Sequence, residues 1–341
     1  MEIIRKECKL CLCCMEEHEV SYVRVKEKNI FKGQEVEYEA IYEYCDKADE
    51  LTSSEEMTTI NDLSFKNAYR RKVGLLETQQ ICAIRQKYGI TQTDLAILLN
   101  WGEKTITRYE THQVQDIAHD TILRKIDEDP EWYLSLLKGN ESKFSPFTYV
   151  KYFEIARQLY ENKEDDYLRR TIHAKYIRYE NIPECGGNTK LDLSKVVDVI
   201  RYFANSIKVK CLYKVKLMKL LWYSDALSYK RYGHSITGLV YQAWPMGAVP
   251  INYDLIVDLK GIKHEEVDFW EGSGDHFVPT EDKTYNSLTQ EDITILEKII
   301  DVFGASSKQE IVDKMHKEKA YIKTSSNDII QYKYALELSL D

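Results

Sequence analysis

Between Glu35 and Cys45 the chain alternates, with Val36, Tyr38, Ala40, Tyr42 and Tyr44 on one side and Glu35, Glu37, Glu39 and Glu43 on the other. A period of two marks a strand with one buried face. Lys32-Gly33 supplies a turn before it and Glu19 to Glu27 a first arm, so residues 1–62 predict a β-hairpin module. From about Glu77 the period lengthens to that of helices. Helical stretches are expected over Glu77 to Lys87, around Leu95 to Leu99, through Ile106 and Tyr109, from Ile117 to Ile126, and from Pro130 to Leu137, giving a five-helix domain over 63–140.

Ser145-Pro146 is a good helix start, followed by a stripe of Tyr149, Phe153, Ala156 and Tyr160. A second helix from about Asp166 to Tyr179 is expected next. The Pro and Gly content of 182–188 then reads as a linker in which Cys185 is an exposed thiol, so 141–190 is taken as a connecting region. Residues 191–341 form the last domain. Lys214 to Leu227 is apolar on nearly every face and predicts a central buried helix, and the stretch from Ile236 to Pro250 reads as a short apolar strand running into a Pro/Gly-punctuated loop. Thr289 starts a helix ended by Gly304, and Ser307 to Glu310 is a capping box opening another. The fold class expected is therefore multi-domain and mainly α, with an N-terminal β-hairpin, a five-helix unit, and a mostly helical C-terminal domain with a small β element.

Charge changes the picture locally. The chain of 341 residues carries a net charge of −9, yet residues 70–127 hold nine Lys/Arg against seven Asp/Glu. A slightly basic module inside an acidic protein suits a small surface facing nucleic acid and a larger remainder facing protein. The N-terminus leads into charges and cysteines, and no apolar run approaches bilayer length, so a cytoplasmic protein with no membrane partner is expected.

The stretch Ile90 to Glu110 reads as a helix-turn-helix. Leu95, Ala96, Leu98 and Leu99 give one helix an inward face, Gly102 permits a turn, and Ile106 with Tyr109 gives the next helix a matching face. Lys104, Thr105 and Arg108 are left outside, in position to enter a DNA major groove. The planar fork of Arg108 suits guanine, Lys104 can reach a base edge or phosphate, and Thr105 and Thr107 can meet phosphate or a thymine methyl. Arg70-Arg71-Lys72 are further candidates for phosphate. One such module covers little DNA, so a homodimer reading two half-sites of double-stranded operator DNA is expected.

Cys8, Cys11, Cys13 and Cys14 fall within seven residues and Cys45 follows at the end of the alternating strand. Thiolates at x-x spacing share a tetrahedral ion, so zinc is the expected cofactor of a ribbon-like module. Ala48 stands where a second Cys pair would be completed. Cys11, Cys14 and Cys45 are the expected ligands, with His18 as the fourth and Cys8 as the alternative.

The Cys11-x-x-Cys14 knuckle, the tyrosine-rich strand into Cys45 and the following helix-turn-helix resemble the N-terminal zinc finger and DNA-binding domain of MqsA-like antitoxins. The resemblance implies an Xre-like operator-binding module that represses its own operon, with Lys104 and Arg108 at base-reading positions and Gln92 anchoring a phosphate. Further on, the Lys216-Leu217-Met218-Lys219-Leu220-Leu221 helix and the Trp244-Pro245-Met246-Gly247-Ala248-Val249 loop resemble the Panacea, or SocA-like, domain over about 195–320. Ala248 stands where proline is common in that family. This second likeness implies a domain that neutralises a protein toxin. Tyr241, Trp244 and Met246 are the candidate toxin contacts, against a rival reading as core.

His234, Asp225, His264 and His276 lack the spacing of a metal motif, and neither a nucleophile elbow nor a phosphate loop is present, so no catalytic residues are expected. Asp225 is expected to pair with Lys216 or Lys219, or with loop amides. Two other functions compete with the antitoxin reading: a redox- or metal-responsive regulator, and an adaptor delivering a partner to a protease.

Overall fold

The computed structural model describes residues 1–269 and 272–341. It divides into two compact units, Met1–Tyr160 and Glu161–Asp341.

The first unit opens with a four-stranded antiparallel sheet in sequential order: β1 (Glu2–Leu10), β2 (Glu17–Phe31), β3 (Gln34–Cys45) and β4 (Glu50–Thr52). The expected hairpin is its centre. Lys32 and Gly33 both take positive φ, +47° and +77°, which suits a two-residue turn between right-twisted strands. The outer strands β1 and β4 carry no clear alternation, since β1 is exposed along nearly its whole length. Helix α1 (Glu55–Val73) is capped by Ser54 and ended by Gly74, and lays Phe65, Ala68 and Tyr69 on Val36, Tyr38 and Ala40 of β3. The division expected at residue 62 falls inside this helix.

Five helices follow: α2 (Thr78–Lys87), α3 (Gln92–Leu98), α4 (Thr105–Tyr109), α5 (Ile117–Glu128) and α6 (Pro130–Gly139). Their shared core includes Ile81, Tyr88, Leu95, Leu98, Ile106, Tyr109, Leu123, Tyr133 and Leu137, with Tyr152 and Ala156 of α7 packed against it. Helix α7 (Pro146–Tyr176) is one helix where two were expected. After Pro146 it contains neither proline nor glycine, and its polar middle, Glu161 to Asp166, has no residue that must leave a helix.

In the second unit, α8 (Pro183–Gly186) lies in the stretch expected to be a linker. Cys185 is buried, which corrects its reading as an exposed thiol. The Pro and Gly signals there mark a tight fold-back, held by Ser235 N–H on Gly187 O and the Asn188 amide on Gly233 O. Then come α9 (Leu193–Asn205), α10 (Lys214–Tyr232), β5 (Tyr241–Trp244), β6 (Gly247–Pro250), α11 (Tyr253–Ile256), β7 (His264–Phe269), β8 (Gly272–Phe277), α12 (Gln290–Phe303), α13 (Lys308–Met315) and α14 (Lys319–Ile322). Helix α10 is the buried centre that its all-round apolar character predicts, with every residue from Lys216 to Ser228 buried. The capping boxes at Thr289 and Ser307 are both formed. Within the stretch expected as strand and loop from Ile236 to Pro250, the strand begins at Tyr241, and the amides of Ile236 and Thr237 before it are committed to a buried carboxylate.

Candidate functional site

Three arrangements of polar side chains stand out, two in the first unit and one in the second. The first is at the open end of the sheet, where the turn after β1 carries Cys11 and Cys14, β2 carries His18 and β3 ends on Cys45. One ligand atom from each of these four lies within 4.8 Å of the others. The His18 Nε2 to Cys45 Sγ distance is 3.6 Å. Two ligands at zinc-bond lengths on adjacent corners of a tetrahedron lie about 3.6 Å apart for sulfur and nitrogen, so the spacing fits that ion. His18 Nδ1 donates to Glu19 O at 3.1 Å and lies 3.4 Å from Asp46, which leaves the lone pair on Nε2 facing the thiols. Amides of Cys14 and Cys13 at the Cys11 sulfur, with His18 and Cys45 beside it, pull that thiol down to about 6. Cys13 differs, donating to Glu50, whose carboxylate pushes the thiol up to about 12. Cys8, the alternative fourth ligand, lies exposed on β1 opposite Glu19 and outside the cluster. His18, and not Cys8, stands with Cys11, Cys14 and Cys45.

The second arrangement is built on α3 and α4. Ile106 and Tyr109 are buried, whereas Lys104 and Arg108 are exposed on the outer face and Thr105 is half-buried at the start of α4. Among the described residues, Arg108 Nε reaches only back to Lys104 O, at 3.3 Å. Gln92 and Thr107 are tied into the fold. Thr107 Oγ1 donates to Gln92 Oε1 at 2.9 Å, and Gln92 Nε2 donates to Glu110 at 2.6 Å. Burial raises the Glu110 carboxyl, but Arg85 and Gln92 outweigh it and hold the group below its ordinary value.

Arg70 corrects the expectation of a phosphate contact at 70–72. Its guanidinium is buried and donates to Asn67, Thr78, Gln115 and the carbonyls of Tyr109 and Gln113. It fastens α1 to the end of α4. Arg71 pairs with Glu77 and Lys72 reaches Glu35 O.

The third arrangement surrounds α10. The Asp225 carboxylate is fully buried and accepts from Ile236 N, Thr237 N, Thr237 Oγ1 and Tyr241 OH at 2.6 to 2.9 Å. Burial pushes it up to about 6 despite these donors. Of the expected partners, the loop amides are correct and the lysines are not. Lys216 Nζ donates to the carbonyls of Lys210, Gly304 and Ser306, and Lys219 Nζ to Ala248 O at 3.1 Å.

Tyr241 is fully buried, so its expected place among exposed partner contacts is corrected: its hydroxyl is spent on Asp225 and its ring packs on Trp222. Trp244 and Met246 remain 38% and 37% exposed on the β5–β6 turn. That turn is held from a distant stretch, with Tyr321 OH donating to Trp244 O and His316 Nε2 to Pro245 O. Sequence reasoning missed both residues because they lie more than 70 positions away. Gly247, at φ +103°, must be glycine, since a Cβ there would sit 2.7 Å from Met315 Cγ and 2.9 Å from Lys219 Cε.

His264 pairs with Asp258 and Asp275, and His276 lies against Tyr213, so neither shares a site with Asp225. No described helix is long and apolar enough to cross a membrane.

No curated protein and no solved structure matches the chain. Residues 217–321, from within α10 through α14, match the family described as the antitoxin SocA-like, Panacea domain.

Proposed function

We propose that this protein is the antitoxin of a type II toxin–antitoxin pair. Its second unit binds and silences a protein toxin, and its helix-turn-helix binds operator DNA to repress the shared operon. The observation that carries the reading is the match of residues 217–321 to the SocA-like antitoxin domain. The chain acts by binding and not by turnover, in the cytoplasm, as a homodimer on a two-fold operator.

Arg108 is the first base-reading residue, Lys104 reads or grips the backbone, and Thr105 supports it. Gln92 and Thr107, tied to each other and to Glu110, position the recognition helix and present what remains of their polar edges to phosphate. Cys11, Cys14, His18 and Cys45 hold one zinc ion, which supplies a cross-link between the knuckle and the end of β3 in place of a larger core. Trp244 and Met246 contact the toxin.

The test is to express the adjacent reading frame alone and together with this chain. Growth arrest alone, and recovery when full-length protein is supplied, is the expected result. Failure to rescue cells from a proven toxic neighbour rejects the reading.

A further inference from the structure

The β5–β6 turn and the segment from His316 to Lys323 form one face of the second unit. Tyr321 and His316 hold the carbonyls of Trp244 and Pro245, and their own rings stack with centroids 4.6 Å apart. On this face Trp244, Met246 and Ile322 are exposed, Ile322 to 63%. Trp244 is also braced by an edge-on contact with Tyr253. A large side chain held in place before binding loses little freedom on association, which is what an interface anchor requires.

Charge identifies the occupant. Residues 314–323 contain Lys314, Lys317, Lys319 and Lys323 against the one acid Glu318, in a chain of net charge −9. Glu318 is buried and turned inward, accepting from Tyr223 OH and from Ser339. Lys323 is matched by Glu337. Lys317 and Lys319 are exposed and form no ion pair among the described residues. Two exposed lysines, flanking in sequence the His316 and Tyr321 that hold the turn, make too short a cationic track for a nucleic-acid backbone, and they complement a protein segment that mixes carboxylates with apolar anchors.

We infer that the face made by Trp244, Met246, Ile322, Lys317 and Lys319 is where the toxin docks, through a segment that carries Asp or Glu beside an apolar side chain. This deepens the antitoxin reading and rests on it.

The experiment uses the full-length chain and the purified toxic product of the adjacent reading frame. Trp244→Ala and the double reversal Lys317→Glu/Lys319→Glu are each expected to weaken toxin binding at least tenfold in calorimetry, with Trp244→Phe recovering most of the loss. Near-UV circular dichroism and thermal melting of the same variants should match wild type, which shows that the second unit still folds, and operator binding should stay within twofold. Carbodiimide cross-linking of the wild-type complex, mapped by mass spectrometry, should join Lys317 or Lys319 to an Asp or Glu of the toxin. Wild-type neutralisation with both variants binding within twofold overturns this face and leaves the antitoxin reading standing. So does a labelled oligonucleotide that binds here in place of the toxin. If wild-type protein neither binds nor rescues, the antitoxin reading falls and this inference with it.

Discussion

The guanidinium of Arg85 on α2 grips Glu110 at the end of α4 with two parallel hydrogen bonds, Nε to Oε1 at 2.7 Å and Nη2 to Oε2 at 3.0 Å. Gln92 on α3 donates to the same carboxylate, so one acid locks three helices. Glu110→Ala leaves a largely buried guanidinium without its partner and should cost about 2–4 kcal/mol in urea unfolding. Arg85→Ala should cost a similar amount, and the double variant less than the two together. Equal and additive losses would show that the pair is not coupled.

Arg108→Ala should reduce operator affinity by about 1–3 kcal/mol and relax base preference at one position. Lys104→Ala, if its ammonium meets phosphate, should weaken all sequences alike and flatten the salt dependence. Competition binding against a panel of operator variants separates the two. Discrimination that is unchanged in Arg108→Ala removes that residue from base reading.

Purified protein should contain one zinc ion per chain. Cys45→Ser should abolish it, and Cys8→Ser should leave it intact, since Cys8 lies outside the cluster. Chelation should lower the melting temperature of the first unit, because metal affinity is folding free energy where few apolar contacts hold the knuckle. Elemental analysis and thermal melting measure both, and metal retained in Cys45→Ser would remove that thiol from the ligand set.

Lys219 is a buried ammonium with one carbonyl acceptor, and burial lowers it from 10.5 to about 7. The unfolded chain therefore binds the extra proton between pH 7 and 10.5, and the native state does not. The cost of Lys219 to stability is complete below pH 7 and fades as pH rises towards 10.5. Lys219→Met should be more stable than wild type by about 1–3 kcal/mol below neutral pH, with the gain vanishing in strong base. Unfolding curves at pH 6 and pH 10 check the sign; a gain that grows with pH contradicts it.

The central hairpin, the five helices after it and the buried α10 were legible because each is written in a local period: two across Val36 to Tyr44, helical across Ile81 to Leu137, and apolar on all faces from Leu217 onward. The capping box at Ser307 followed from four adjacent residues, and the helix start at Thr289 was legible although its capping box was not. The reading failed in the middle of α7, where a single helix runs through a polar stretch, and around Cys185, where Pro and Gly mark a fold-back and not a linker.

The amino-acid order alone determined the central hairpin, the helices of the five-helix unit and the buried α10, which thiols sit at metal spacing, and which face of α4 is apolar, since all of these depend on neighbours within a few residues. The tertiary structure decided what each polar group does. Arg70 was drawn inside to hold the end of α4, His18 and not Cys8 was brought to Cys45, Tyr241 was committed to Asp225, and His316 with Tyr321 was placed under Trp244. A hydrogen bond or ion pair forms between groups far apart in the chain, and only packing determines which of several equally suitable partners arrives within 3 Å.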